Sequence, residues 1–455
     1  MSGGVAGQAR NVVNDATSEH APRNPPTPRT VLVVGVTGFV GAAVACRLHA
    51  SGASVVGVSR SIPRSWLPLR HVRLDIAQAT DAEAWREHLA GIDAVVYCAG
   101  ALQEGPGESL AAVHENGPAA LYQACATAGI RRVVHFSALG AEQSVTPFSR
   151  TKHAGDEVLM QTQLDWVILR PSVVIGRNAF GGSALLRGLA ALPVLPVLER
   201  TAPLQVVHID DVLDTVLFFL RRDAPARLVL DVVGTHPWRF DELVAVFRRW
   251  LGWRPASTVR LPGWLEALSF GFGDLMGLLG WRTAIRSNAG RELLHARLGD
   301  GARWRHLTGI APRDLERVLS MEPASVQERW FARLYLLRPA VFAICALFWI
   351  STGIIALWPG WASGIALMEE GGIYGWPAVA IVICGAACDI GVGMAIGWRR
   401  TARMGIIAAI IVTITYAAIA SVLVPRLWTD PMGPMLKVLP ILALHLAALG
   451  IVDDR

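Results

Sequence analysis

The sequence predicts a two-part molecule: a doubly wound parallel-sheet α/β domain with a small C-terminal lobe, followed by an all-α domain of four transmembrane helices. Three observations predict it. Short apolar runs at 31–34, 54–58, 94–97 and 132–136 alternate with amphipathic segments of helical length, the pattern of parallel strands covered on both faces. A glycine-rich turn in VLVVGVTGFVG, residues 31–41, joins the first run to the first helical segment. Hydrophobic residues make up 53% of the 455 and charged residues only 17%. That apolar excess gathers after residue 338 in stretches long enough to cross a bilayer.

Residues 1–29 are polar and end in APRNPPTPRT, with no apolar core of signal-peptide length, so a disordered leader is expected and the glycine-turn domain stays cytoplasmic. After the first strand, Gly35 permits a turn that a Cβ would block, Gly38 lets the backbone approach a pyrophosphate, and Gly41 lets the helix pack on its strand. Thr37, Phe39 and Val40 fill the turn and the helix start, where the positive helix end favours phosphate. The second strand ends in Ser59-Arg60-Ser61, where dinucleotide folds inspect the adenine ribose. Arg60, with Arg64 in reach, suits a 2′-phosphate, so NADP(H) is favoured over NAD(H). Val72 to Asp75 reads as the third strand, placing Asp75 near the adenine, and the fourth strand closes on Cys98-Ala99-Gly100. A helix over 109–128 and a fifth strand ending in Ser137 follow.

These residues resemble the extended and atypical branches of the short-chain dehydrogenase/reductase superfamily over roughly residues 30–260. The resemblance rests on the Gly35/Gly38/Gly41 spacing, Asp75, Cys98-Ala99-Gly100, Asn116, Ser137, Lys152, and Leu169-Arg170-Pro171-Ser172 with Gly176. It implies a cofactor-binding set that includes Lys152, Pro171 and Val173 beside the glycine turn. It also implies that Ser137 orients a substrate carbonyl and that Lys152 holds the nicotinamide ribose. The tyrosine that donates a proton in that superfamily is replaced by Phe148, in Phe148-Ser149-Arg150-Thr151-Lys152. A benzene ring has no proton to give, which removes a transfer generally valued at about 10²- to 10⁴-fold.

Around this frame, His153 reads as a surface residue and His135 as a satisfied core residue. In Gln205–Val212, Asp210 or Asp211 is expected to cap a helix running through Leu220. Residues 226–233 read as a strand and 239–252 as a helix with apolar positions at Phe240, Leu243, Val244, Val246, Phe247 and Leu251. Residues 261–338 form a juxtamembrane linker. Its stretch LPGWLEALSFGFGDLMGLLGW, 261–281, is apolar but interrupted by Glu266 and Asp274. Two placements fit it, the membrane interface or a helix buried against the sheet domain.

Four apolar stretches follow, at about 339–358, 376–398, 404–424 and 435–453. Arg399, Arg400 and Arg403 lie between the second and third, whereas Glu369 and Glu370 lie between the first and second. Positive residues stay inside, so both termini are expected in the cytoplasm of a bacterial inner-membrane protein. Asp389 and His445 stand at similar depth, where an ionisable group is costly unless paired. A contact between them would serve either as interhelical glue or as a proton or quinone site, and Gly393 and Gly397 allow close packing. This part resembles the DoxX-like membrane family, and the arrangement resembles fusions of an atypical reductase domain with such a tail. The soluble part also resembles NmrA-like regulators and the nucleotide-binding accessory subunit of respiratory complex I, members of which often lack the tyrosine.

The formal charge of +6, with arginines near the apolar runs, points to a membrane surface; no nucleic-acid-binding motif is present. The six cysteines read as reduced, packed thiols, and Cys384 with Cys388 makes too poor a donor set for a metal site. Two functions fit. One is a membrane-anchored oxidoreductase acting on a lipophilic carbonyl or quinone-like acceptor. The other is a catalytically silent nucleotide-binding subunit or redox sensor of a membrane complex.

Overall fold

The computed structural model describes residues 29–63, 67–104, 109–197, 201–281 and 283–453. The expected leader, up to residue 28, and Arg64 lie outside the described residues. The core is a seven-stranded parallel sheet in the order β10-β6-β5-β4-β1-β2-β3. Its strands are β1 (Thr30–Val34), β2 (Ser54–Ser59), β3 (Arg70–Arg73), β4 (Ala94–Tyr97), β5 (Arg132–Phe136), β6 (Asp165–Pro171) and β10 (Leu228–Val232). The alternation along β1 decides the two layers. Val31 and Val33 pack with residues of α1 (Phe39–Ala50) and α6 (Ile209–Phe219), whereas Leu32 and Val34 pack with α2 (Glu83–Arg86), α3 (Gly117–Thr127) and α4 (Pro147–Met160). The third strand ends at Arg73 and not Asp75, because the Asp75 carboxylate accepts the Ala77 N–H at 3.2 Å and its carbonyl accepts from Gln78 and Ala79. That local turn competes with the strand.

The small lobe holds a three-stranded sheet, β7 (Val173–Ile175), β9 (Leu204–His208) and β11 (Pro237–Trp238), and a two-stranded one, β8 (Val194–Val197) with β12 (Ser257–Arg260). Against them pack α5 (Gly181–Ala190) and α7 (Phe240–Trp250). The helix after His208 is not capped by Asp210 or Asp211. The His208 ring accepts the Asp210 N–H at 3.3 Å, and both acids have arginine partners elsewhere. Asp210 and Asp214 grip Arg47 of α1 at 2.6 and 2.7 Å, and the buried Asp211 pairs with Arg313.

Part of the stretch read as a linker is core. Trp304, on α10 (Ala302–Thr308), is fully buried in the sheet domain and donates to Thr215 Oγ1 at 2.9 Å. Leu315 and Leu319 of α11 (Leu315–Met321) join the lobe core. Between lobe and bundle stand α8 (Gly263–Leu278) and α9 (Ser287–Leu294). Of α8 only Gly273 and Gly277 are buried, so the buried-helix placement is wrong.

Among the described residues, three helices are long and apolar enough to cross a membrane: α12 (Val326–Leu357), α14 (Trp376–Gly397) and α15 (Ala402–Leu423). The fourth expected span, α16 (Val438–Ile451), has 14 residues, about 21 Å where a bilayer core needs about 30 Å. Pro440 stands in its first turn, the place where a missing N–H costs a helix least. A short helix, α13 (Trp361–Glu370), joins α12 to α14, and its Glu370 pairs with Arg426. The first span begins thirteen residues before its expected start at 339, with Pro339 inside it. At about 48 Å, α12 exceeds the bilayer, and its early turns dock the soluble lobe: Ala332 joins the lobe core and Tyr335 lies against Gly188 of α5.

α14 and α16 each pack on α12 and α15, so the second and fourth stretches are not partners across one seam. Asp389 therefore takes Tyr416 as its partner at 3.1 Å, and His445 accepts from Trp349 Nε1 at 3.0 Å; the expected Asp389–His445 contact is replaced by these two pairs. A Cβ at Gly393 would meet the Ala346 carbonyl at 2.8 Å, whereas one at Gly397 would have ordinary contact only. The cysteines are all free, but Cys46, Cys384 and Cys388 are exposed and not packed as expected.

Candidate active site

The strand order reverses between β1 and β4, and in open α/β sheets ligands bind at that switch point beyond the strand ends. The glycine turn lies there. Gly35 has φ +83°, and a Cβ on it would stand 2.8 Å from the Ala99 N of the β4 end. Gly38 is the N-cap of α1 with no side-chain cap bond, so the orphan N–H groups of the first turn remain open to an anion. A Cβ at Gly41 would lie 2.2 Å from the Gly35 carbonyl oxygen. The three glycines thus bring Gly35 and Cys98-Ala99-Gly100 together as one cradle that side chains would fill, and these residues fit a dinucleotide. Phe39 stacks on Phe180 at 6.5 Å and faces Gly176, walling the cradle toward the lobe, while Thr37 and Val40 are half-buried beside it. Arg60 is exposed just beyond β2 and Asp75 lies two residues beyond β3; Pro171 ends β6 and Val173 opens β7.

Ser137 follows β5 and Lys152 projects from α4. The helix starts where it does because Thr146 and Ser149 form a reciprocal capping box, with proline in the first turn. Lys152 Nζ donates to the Phe136 carbonyl at 2.9 Å and reaches the Ala99 carbonyl at 3.5 Å. It therefore lies directly under the cradle. Burial lowers its pKa to about 8, opposed by the Asp156 and Cys98 charges, so at neutral pH it is still largely a cation.

Several groups that sequence reading passed over complete the site. Asp156, four residues beyond Lys152 and fully buried, accepts Ser137 Oγ–H at 2.8 Å and Arg170 at 3.0 and 3.3 Å. Its other oxygen faces His135 Nε2 at 3.4 Å, and His135 Nδ1 pairs with the Tyr122 hydroxyl at 2.7 Å. Burial disfavours the Asp156 charge, but His135, Arg170 and Ser137 outweigh it and hold the carboxyl below its usual range. Burial also keeps the His135 ring neutral. The Ser137 hydroxyl thus donates to a carboxylate.

His114 occupies the space beside Phe148, edge to face at 5.6 Å. The Ala101 N–H donates to its Nε2 at 3.1 Å, which leaves the proton on Nδ1, 2.8 Å from Thr151 Oγ1. Burial, with Lys152 and His135 nearby, pushes its pKa down to about 2. His114 is a neutral ring with no outward proton and does not replace the missing phenol. His114 sits in a π-turn over 112–116, locked to α4 because a Cβ at Gly155 would lie 2.0 Å from the His114 carbonyl oxygen. His153, half-buried, faces Glu157 at 3.5 Å, one turn along the same helix, and is not part of this cluster.

Residues 31–230 match the NAD dependent epimerase/dehydratase family and residues 346–446 the DoxX-like family. An uncharacterised protein of Mycobacterium tuberculosis is 31% identical over 182 residues, 40% of this chain but only 19% of that protein. The chain thus spans about a fifth of the length of that relative. Ceramide reductase of Caulobacter vibrioides is 24% identical over 234 residues, 51% of this chain and 73% of that one. Among solved structures, MoeE5 in complex with UDP-glucose and NAD aligns with a TM-score of 0.51 at 19% identity, covering 68% of this chain and 99% of that one, a likeness of fold. The chain therefore joins an epimerase- and short-chain-dehydrogenase-type NAD-binding Rossmann domain to a DoxX-like domain.

Proposed function

We propose that the protein is a membrane-anchored oxidoreductase that uses NADP(H) in preference to NAD(H) and acts on a lipophilic carbonyl or quinone-like acceptor. The observation that carries this reading is the cation of Lys152 beneath the Gly35–Ala99 cradle, in a chain that continues into membrane helices. Similarity to a protein named ceramide reductase supports a lipophilic acceptor. A bound nicotinamide would supply or accept a hydride there. The glycine turn would bind the pyrophosphate through backbone N–H groups, Lys152 would hold ribose hydroxyls, and Arg60 beyond β2 would meet a 2′-phosphate. Ser137 would orient an acceptor carbonyl by turning its hydroxyl proton from Asp156 toward the carbonyl oxygen. With Phe148 and neutral His114 beside it, the site holds no phenol or imidazolium to protonate an alkoxide in step with hydride transfer, and the Lys152 ammonium is turned to the Phe136 and Ala99 carbonyls. An acceptor that delocalises the charge and takes its proton from water afterwards suits that arrangement.

The same two residues favour the second reading, a nucleotide-loaded subunit or redox sensor of a membrane complex that never turns over. The test is the nicotinamide fluorescence of NADPH on the detergent-purified protein, followed before and after adding quinones or a membrane lipid extract. Decay only with acceptor supports the reductase, and a persistent signal supports the silent subunit. Arg60→Glu should weaken NADPH about tenfold and leave NADH unchanged; equal losses for both would overturn the cofactor preference. Arg399, Arg400 and Arg403 at the α14–α15 turn, with Asp453 beyond α16 paired to Arg403 at 2.6 Å, support a bacterial inner-membrane protein with a cytoplasmic Rossmann domain and both termini inside. Protease applied to the outside of spheroplasts should leave that domain intact, and digestion from that side would reverse the orientation.

A further inference from the structure

α8 carries its apolar face outward. At 100° per residue, Trp264, Leu268, Phe272, Leu275 and Leu278 fall within a sector of about 120°, and Trp264, Leu268 and Leu278 are 69%, 62% and 68% exposed. The inward side carries Gly273, Gly277 and Phe270, with Asp274 at its edge. A Cβ at Gly273 would lie 1.6 Å from the Ile285 carbonyl oxygen, Gly290 of α9 receives Phe270, and Asp274 binds Ser287 and Arg286. Water would drive the reverse arrangement, so this face calls for a covering that the described residues do not supply.

What covers it is indicated by where α8 ends. Trp281 donates to the Gly397 carbonyl at 2.8 Å and packs on Phe342 with tilted rings, centroids 4.6 Å apart. Arg399 donates its N–H to the Leu279 carbonyl at 3.0 Å and lays its guanidinium over Trp281 at 5.3 Å. Gly397 ends α14 and Phe342 lies near the start of the apolar part of α12. The stripe is therefore continuous with the membrane-spanning surface at the level where spans meet water, with arginines beside it. An interfacial helix with aromatic and leucine residues on its buried face has this composition.

The other arm of the hairpin reaches the site. Asn288 Nδ2 donates to the Leu102 carbonyl at 2.8 Å, in the loop that follows Cys98-Ala99-Gly100. Glu292 accepts from Thr146, the N-cap of the helix that carries Phe148 and Lys152. α9 thus ties together the two loops that flank the candidate site.

We propose that α8 lies in the membrane interface with this stripe in lipid, and that the α8–α9 hairpin is the roof under which a bilayer-dissolved acceptor enters. The entry half rests on the oxidoreductase reading; the lipid half stands without it. The test places p-benzoylphenylalanine at Leu268, Phe272 or Glu266 of the full-length protein in phosphatidylethanolamine/phosphatidylglycerol nanodiscs, with adducts identified by mass spectrometry. Phospholipid adducts at the first two positions and none at Glu266 are expected. Adducts to a second copy or to another protein, or no adducts, would overturn the lipid placement. For entry, Leu268→Glu/Phe272→Glu should raise KM for a long-tailed quinone in the nanodisc about tenfold while leaving kcat and a tailless, water-soluble quinone unchanged. Equal effects on both quinones, or none, would overturn the roof while leaving the lipid contact. Turnover with neither quinone in the parent protein would overturn entry together with the oxidoreductase reading, and the adducts would still decide the lipid half.

Discussion

The sheet domain and the membrane bundle treat buried polar groups differently. In the sheet domain, Asp156 of α4 gathers His135 and Ser137 from β5 and its end and Arg170 from β6, and His135 passes on to Tyr122. In the bundle, Asp389 takes the hydroxyls of Tyr416 on α15 and Thr352 on α12, and His445 takes the indole of Trp349 on α12. A network fixes the geometry of several segments at once, so removing one member leaves others unpaired in low dielectric. A pair holds two helices together, and its loss is local. If the comparison is right, substitutions of equal chemical size should have unequal effects in the two regions.

The largest effect is expected at Asp156. Asp156→Ala leaves Arg170 and Ser137 without their buried acceptor, a loss of about 4 kcal/mol, as for removing one partner of a buried ion pair. A thermal melt of the purified protein checks this. A change no larger than that of an exposed carboxylate would show that the cluster is not a network. The depressed carboxyl adds a pH signature: its stabilisation is present above the unfolded value near 3.9 and is lost as pH falls through the lower folded value. Asp156→Asn should flatten that acid limb.

Gly41→Ala comes next. Its methyl group would lie 2.2 Å from the Gly35 carbonyl oxygen, so the turn must open, at about 3 kcal/mol for overpacking. The same shift should weaken NADPH roughly a hundredfold, read by fluorescence titration. Retained affinity would mean that the turn does not bind the pyrophosphate.

These two positions differ in how legible they were. The glycine turn could be read because its constraint is local: seven residues and a preceding strand specify both the positive φ at Gly35 and the close approach at Gly41. The Asp156 cluster could not, because its members come from residues 122 to 170 and meet only when β5, β6 and α4 pack. One signal was available, since Asp156 lies four residues beyond Lys152 and must share its inward face. The capping role fell to His208 because tertiary pairing with Arg47 and Arg313 drew both aspartates away. Trp304 was missed for a related reason: a short helix inserts it beneath α6 from nearly ninety residues downstream.

A smaller, graded effect belongs to His114. Its folded pKa of about 2 lies below the unfolded value near 6.5. Its stabilisation is therefore complete above pH 6.5 and is lost as pH falls from there toward 2, at about 1.4 kcal/mol per pH unit. His114→Gln should remove that slope between pH 6 and 4. An unchanged slope would mean that His114 gains its proton without leaving the Ala101 N–H and Thr151.

The smallest effect is expected in the bundle, and it is the sharpest trial of the comparison. Tyr416→Phe removes one hydroxyl from Asp389 and should lower stability by about 0.6 kcal/mol, the average worth of an interhelical hydrogen bond in a membrane. Asp389→Asn keeps an acceptor for Tyr416 and should spare both the fold and nucleotide binding. If Asp389→Asn also spares quinone reduction, the carboxylate is glue between α14 and α15. If it abolishes reduction while the NADPH signal persists, the pair transfers protons or holds the acceptor. The bundle would then carry chemistry with two hydroxyls at a lipid-facing edge where the sheet domain uses a buried network, and the contrast between the two regions would be one of surroundings and not of function.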